Sequence, residues 1–103
     1  MSAHDDKPLL VFFTNERSGP ARRMESLLAH LARKERTRLR VSLVNADQSP
    51  ELVEKLGITE IPTLVLVKGR RASARLEGRA SAPQIEEMLA PYLPAGEPEA
   101  AAA

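Results

Sequence analysis

Two five-residue runs govern what this chain can become. Leu9-Leu10-Val11-Phe12-Phe13 is apolar without interruption between Pro8 and Thr14-Asn15, and Thr63-Leu64-Val65-Leu66-Val67 has nearly the same character. Strand side chains alternate between faces, so a strand apolar at every position needs cover on both. A sheet with helices on its two sides is therefore required. The rest of the chain supplies them. Ser18-Gly19-Pro20 opens a helix, with a capping residue followed by proline in the first turn. Met24, Leu27, Leu28 and Leu31 follow at the spacing of one helical face. That helix is expected to run straight through residues 20–35 and fade near Arg36 or Thr37. Arg40 to Ala46 reads as a second strand, and Ser49-Pro50 starts a short helix that ends at Leu56 with Gly57 as a left-handed cap. Lys68-Gly69-Arg70 is a tight turn into Ala72–Leu76, whose alternation marks an edge strand antiparallel to the one before it. Ser81 and Gln84 form a capping box for a last helix carrying Ile85, Met88 and Leu89, limited by Pro91. The order β-α-β-α-β-β-α predicts an α/β domain over residues 8–93, with a four-stranded mixed sheet and helices on both faces. A polar tail at 1–7 and an Ala/Pro/Glu tail at 94–103, expected to be disordered, flank it.

The chain contains no cysteine. Disulfides, thiolate metal sites, iron–sulfur clusters and thiol catalysis are excluded together. His4 and His30 are too few for a histidine-rich zinc site, and no cofactor is expected. No apolar run approaches the roughly 18 residues of a membrane span. The start, Met1 to Lys7, carries Asp5 and Asp6 and is unlike a secretory signal, so a cytoplasmic protein without a membrane partner is expected. Net charge is +1, but residues 17–40 hold eight basic side chains against Glu25 and Glu35. Arg22, Arg23, Arg33, Lys34, Arg36, Arg38 and Arg40 could form a nucleic-acid surface. Acidic residues elsewhere balance them and no aromatic residue interleaves for base stacking, which argues against that use. Ser18 as a nucleophile would need a base. His30 lies about 18 Å further down the same helix at 1.5 Å per residue, out of reach.

Element order and local motifs together resemble the thioredoxin family over roughly residues 8–93. Arg17-Ser18-Gly19-Pro20-Ala21 stands where the family has Trp-Cys-Gly-Pro-Cys. Asn45-Ala46-Asp47-Gln48-Ser49-Pro50 is similar to its Asn-x-Asp-x-x-Pro segment, Ile61-Pro62-Thr63 to its Ile-Pro-Thr, and Gly78 to the glycine that closes its groove. The resemblance implies the thioredoxin fold and a cis Ile61–Pro62 bond. It does not carry the chemistry. Disulfide exchange needs an attacking thiolate and a second thiol to resolve the mixed disulfide. Ser18 and Ala21 occupy those two positions and leave them vacant. Phe12 replaces the buried acid that assists proton transfer, Leu43 the lysine near it, and Arg17 the tryptophan. The family's extra first strand is also expected to be missing, which would leave residues 41–44 as an exposed edge open to a partner or a second copy, unless Arg38 and Arg40 protect it.

What the resemblance leaves is a binding groove. A loop ending in a cis-proline offers backbone N–H and C=O groups to an extended peptide, a short form of strand addition. Arg17, Ser18, Gly19 and Pro20 would face Glu60, Ile61, Pro62, Gly78 and Arg79 across it. Pro62 can equally be read as setting the turn into its strand, and Arg17 as a solvated surface residue. Glu16-Arg17-Ser18 is also similar to a thioredoxin-like co-chaperone family with a Ser-x-x-Cys motif, whose members hold or escort client proteins, although Ala21 replaces its cysteine. The expected function is a redox-inactive domain that binds protein or peptide segments as a chaperone or adaptor. The rival is a Cys-to-Ser/Ala form of a thiol–disulfide oxidoreductase.

Overall fold

A computed structural model of the chain describes residues 7–94. The tails expected at 1–7 and 94–103 lie, but for Lys7 and Pro94, outside the described residues. Four strands and three helices follow in the order β1 (Leu9–Thr14), α1 (Gly19–Lys34), β2 (Arg40–Asn45), α2 (Pro50–Leu56), β3 (Thr63–Lys68), β4 (Arg71–Glu77) and α3 (Ala82–Leu89). The sheet order is β2-β1-β3-β4. β1 runs parallel to β2 and antiparallel to β3, and β3 runs antiparallel to β4, so the sheet is mixed.

Both faces of the two apolar strands are covered, as their composition demands. Leu10, Phe12, Leu64 and Leu66 point to one side and join Ala21, Met24, Leu28 and Leu31 of α1 with Ile85 and Leu89 of α3. Val11, Phe13 and Val65 point to the other and pack with Ile58 and with Leu52, Val53 and Leu56 of α2. The alternation is that of a pleated strand, and it places two helices on one face and one on the other. Leu10, Phe12, Phe13, Leu64, Val65 and Leu66 are all fully buried, which makes these strands the least replaceable part of the chain.

The ends of elements differ from the sequence expectation by a residue or two, each for a local reason. β2 stops at Asn45 because the Asn45 side chain accepts the Asp47 N–H at 2.9 Å and caps a single 3-10 turn over Ala46–Gln48. β4 is longer than the alternation implied, from Arg71 to Glu77, and a bulge between Leu66/Val67 and Ala74/Ala72 leaves Ser73 extra. Gly69 and Arg70 both take positive φ in the tight turn that precedes it. The capping box is present as expected: the Ser81 hydroxyl accepts from the Gln84 N–H, and the Gln84 side chain accepts from the Ser81 N–H. Beyond α3, the Tyr92 hydroxyl donates to the Ser73 carbonyl at 3.1 Å and ties the end of the domain back to β4.

Candidate functional site

Strand register gathers the candidate residues at one end of the sheet. Phe13 pairs with Thr63, and Thr63 pairs with Glu77. The segment leaving β1 (15–20), the loop entering β3 (60–62) and the residues leaving β4 (78–79) are thereby neighbours. Separations in sequence of up to about sixty residues disappear through three adjacent strand ends.

The first segment is a preorganised turn. The Asn15 side chain accepts the Arg17 N–H at 3.1 Å, and the Ser18 N–H donates to the Asn15 carbonyl at 3.4 Å. Ser18 is extended and its hydroxyl accepts the Ala21 N–H at 3.1 Å, which makes it the N-cap of α1. Pro20 costs nothing there, because its missing N–H would have had no partner inside the helix. Serine at this position therefore performs a task that needs no reactivity. Replacing Ser18 by alanine is expected to lower unfolding free energy by about 1 kcal/mol, while aspartate, an equally good cap, holds it near the starting value. Urea titrations of the two variants check this.

Beneath the cap, Ala21 is fully buried and shares its apolar cluster with Phe12, also fully buried. Leu43 pairs with Phe12 in the parallel register but is 52% exposed at the sheet edge. The two positions that would hold thiols thus carry a capping hydroxyl and a buried methyl. The two that would support them carry a phenyl ring and an isobutyl group.

The second segment is anchored at several points. Gly57 ends α2 in the left-handed region, and the Arg75 guanidinium from β4 donates to the carbonyls of Leu56 and Gly57. The Thr63 hydroxyl donates to the Glu60 carbonyl at 2.6 Å. The Ile61–Pro62 bond is cis, as the resemblance implied. The Gly78 N–H donates to the Pro62 carbonyl at 2.7 Å, joining the second segment to the third. Gly78 has φ +84, a left-handed backbone that favours glycine, and the exposed Glu60 carboxylate lies over it, 2.9 Å from where a Cβ would stand and free to move aside.

Arg17, Glu60 and Arg79 are exposed; Ser18, Gly19, Pro20, Ile61 and Gly78 are half-buried; Pro62 is buried. Among the described residues, the backbone N–H and C=O of Ile61 have no hydrogen-bond partner. Sequence reasoning missed Arg75, whose place on an alternating edge strand suggested only a solvated charge. It also missed Asn15, although asparagine two residues before a turn amide is a recognisable Asx-turn signal. Beside the site, Thr14, Asn15, Glu16, Arg22, Glu25 and Asn45 line an open depression of about 310 Å³. Among the described residues no group of three or more His, Asp or Glu side chains could hold a metal ion, and His30 sits in the crevice between α1 and α3, beside Leu27 and Glu86.

The thioredoxin family model matches residues 2–91, nearly the whole chain. The chain belongs to the thioredoxin family. A thioredoxin of Alicyclobacillus acidocaldarius is 39% identical over 88 residues, covering 85% of this chain and 84% of that protein. Among solved structures, the germline-specific thioredoxin protein Deadhead of Drosophila melanogaster is 31% identical, with a TM-score of 0.79 over 86% of this chain and 84% of that one. The Fasciola hepatica thioredoxin, at 24% identity and the same TM-score, covers 84% and 82% and shares the fold. This thioredoxin-family chain keeps the turn, the cis-proline loop and the closing glycine, and has no cysteine anywhere.

Proposed function

We propose that this chain is a redox-inactive thioredoxin-like domain that binds an extended protein or peptide segment, as a chaperone or adaptor of the cytoplasm. One observation carries the reading: an anchored cis-proline loop with free Ile61 backbone groups adjoins a helix start whose two reactive positions hold a capping serine and a buried alanine. A segment in extended conformation would pair with Ile61, while Arg17, Glu60 and Arg79 contact its side chains. Binding of this kind needs no cofactor.

Phage-displayed peptides selected on the purified protein test the reading. Arg17→Glu and Arg79→Glu are each expected to weaken the selected peptides about tenfold or more, a loss of about 1.4 kcal/mol, with thermal stability of the variants checked in parallel. Capture that is unaltered in both variants, or no selectable peptide at all, would remove the groove from the account. The names of the relatives favour the rival reading, a thiol–disulfide oxidoreductase with Ser18 and Ala21 in place of its cysteines. Among the described residues no helix is long and apolar enough to cross a membrane.

A further inference from the structure

The two edges of the sheet are not equally defended. β4 carries Arg71, Arg75 and Glu77 along its length and a bulge at Ser73, which are the usual devices against edge-to-edge pairing. Among the described residues β2 has a neighbour on one side only, and it carries a single charge, Arg40, at its start. Its backbone alternation follows from one bond. The Arg40 N–H donates to the Pro8 carbonyl at 3.0 Å, so Arg40, Ser42 and Val44 face β1 while Val41, Leu43 and Asn45 direct their amides off the sheet. Val41 packs against the α1–α3 core, and Leu43, two residues on, projects from the same face. Leu43 is nevertheless 52% exposed, the one large apolar side chain so exposed among the described residues.

We propose that β2 is a self-association surface, pairing antiparallel with β2 of a second copy of this chain about a two-fold axis at Leu43. The register follows from the alternation. Outward-facing residues must oppose outward-facing residues, and centring on Leu43 gives the longest overlap, with Leu43 opposite Leu43 and Val41 opposite Asn45. Each exposed leucine is then covered by its counterpart on the same face. Beyond the paired residues 41–45, Arg40 at the start of one strand comes to the same end of the contact as the 3-10 turn that carries Asp47 of the other, twice by symmetry. Arg40 and Asp47 are both exposed, and their charges are complementary. This match favours a second copy over an unrelated extended peptide, since one short strand supplies both halves of the apolar and the ionic contact. The result is a continuous eight-stranded sheet. Its site residues at the ends of β1, β3 and β4 do not take part.

Analytical ultracentrifugation of the full chain tests the proposal. An edge contact over residues 41–45 of each strand belongs to the small, transient class below about 1,200 Å², so average mass should climb from one chain towards two over roughly 10 µM to 1 mM. Leu43→Lys puts two like charges on the axis and is expected to hold the protein monomeric throughout that range. Arg40→Asp and Asp47→Arg should each weaken association roughly tenfold, and the double variant, which restores the ionic match with its sense reversed, should recover it. A wild-type chain that stays monomeric at 1 mM overturns the proposal. So does a dimer that survives Leu43→Lys, and so does a double charge reversal that behaves no better than the single ones. All three positions are exposed, and a circular dichroism spectrum of each variant confirms that it is folded.

Discussion

Phe12→Asp is expected to destabilise the domain by at least about 4 kcal/mol at pH 7, and Phe12→Ala by about 3–5 kcal/mol. A domain of this size commonly has about 5–15 kcal/mol in all, so the aspartate variant would approach unfolding. The reason is the closed apolar setting of Phe12, fully buried among Leu10, Leu28, Leu64 and Ala21. Deleting the ring leaves a cavity, and a carboxylate in it has lost its water within an apolar cluster. Burial disfavours the charged form and raises the folded-state pKa above the unfolded value of about 3.9. The folded state then holds its proton more tightly than the unfolded state, so stability is greatest below the unfolded pKa and falls as pH rises towards the folded one. The gap between the aspartate and alanine variants should therefore be small near pH 4 and widen by up to about 1.4 kcal/mol per pH unit above it. Urea titrations of both variants at pH 4 and pH 7 measure this. An aspartate variant within about 1 kcal/mol of the wild type at pH 7 would mean that the site hydrates freely. The core reading of Phe12 would then fail.

The Ser18→Cys/Ala21→Cys variant is expected to fold, and to turn over insulin at no more than about one hundredth of the rate of a dithiol thioredoxin assayed beside it. The first introduced thiol would sit at the N-terminus of α1, where the helix dipole favours a thiolate. The second would replace the fully buried methyl of Ala21 above Phe12, in surroundings that raise a thiol's pKa and offer no group to move its proton. General acid–base assistance is worth about 10²–10⁴ in rate, and Phe12 and Leu43 supply none. Turnover comparable to the dithiol thioredoxin would support the rival reading, in which only two residues separate this chain from a working oxidoreductase. This outcome is independent of the peptide selection, so the groove and the redox question can fail separately.

Much of the fold was legible because several local signals point the same way. The apolar runs, the Ser18 and Ser81 caps, Gly57 after Leu56 and the Lys68-Gly69-Arg70 turn each place one boundary, and their order admits few topologies. Boundaries slipped where side chain and backbone compete. Asn45 ended β2 by capping the turn behind it, and the bulge at Ser73 let β4 run longer than a strict alternation allows. The candidate site was named as a set of residues through the family resemblance, and strand register brings their segments to one end of the sheet. Its anchoring was not legible. Arg75 holds the carbonyl end of α2, and Glu60 lies over Gly78, through contacts between segments about 18 residues apart that carry no local pattern.

By itself the sequence determined the chemistry that is excluded and the architecture that is required. Zero cysteines rule out thiol exchange whatever the fold, because no arrangement of hydroxyl and methyl groups forms a disulfide. Strands apolar at every position force a sheet covered on both faces, because burial is a property of composition before it is one of geometry. Only the tertiary structure decided what the vacant positions do instead. Ser18 caps α1, Ala21 closes the core over Phe12, and Leu43, beside Phe12 in register, comes to the surface since nothing pairs beyond β2 among the described residues. Hydrogen-bond direction and exposure depend on which strand ends and edges meet in space, and strand pairing over long separations sets that.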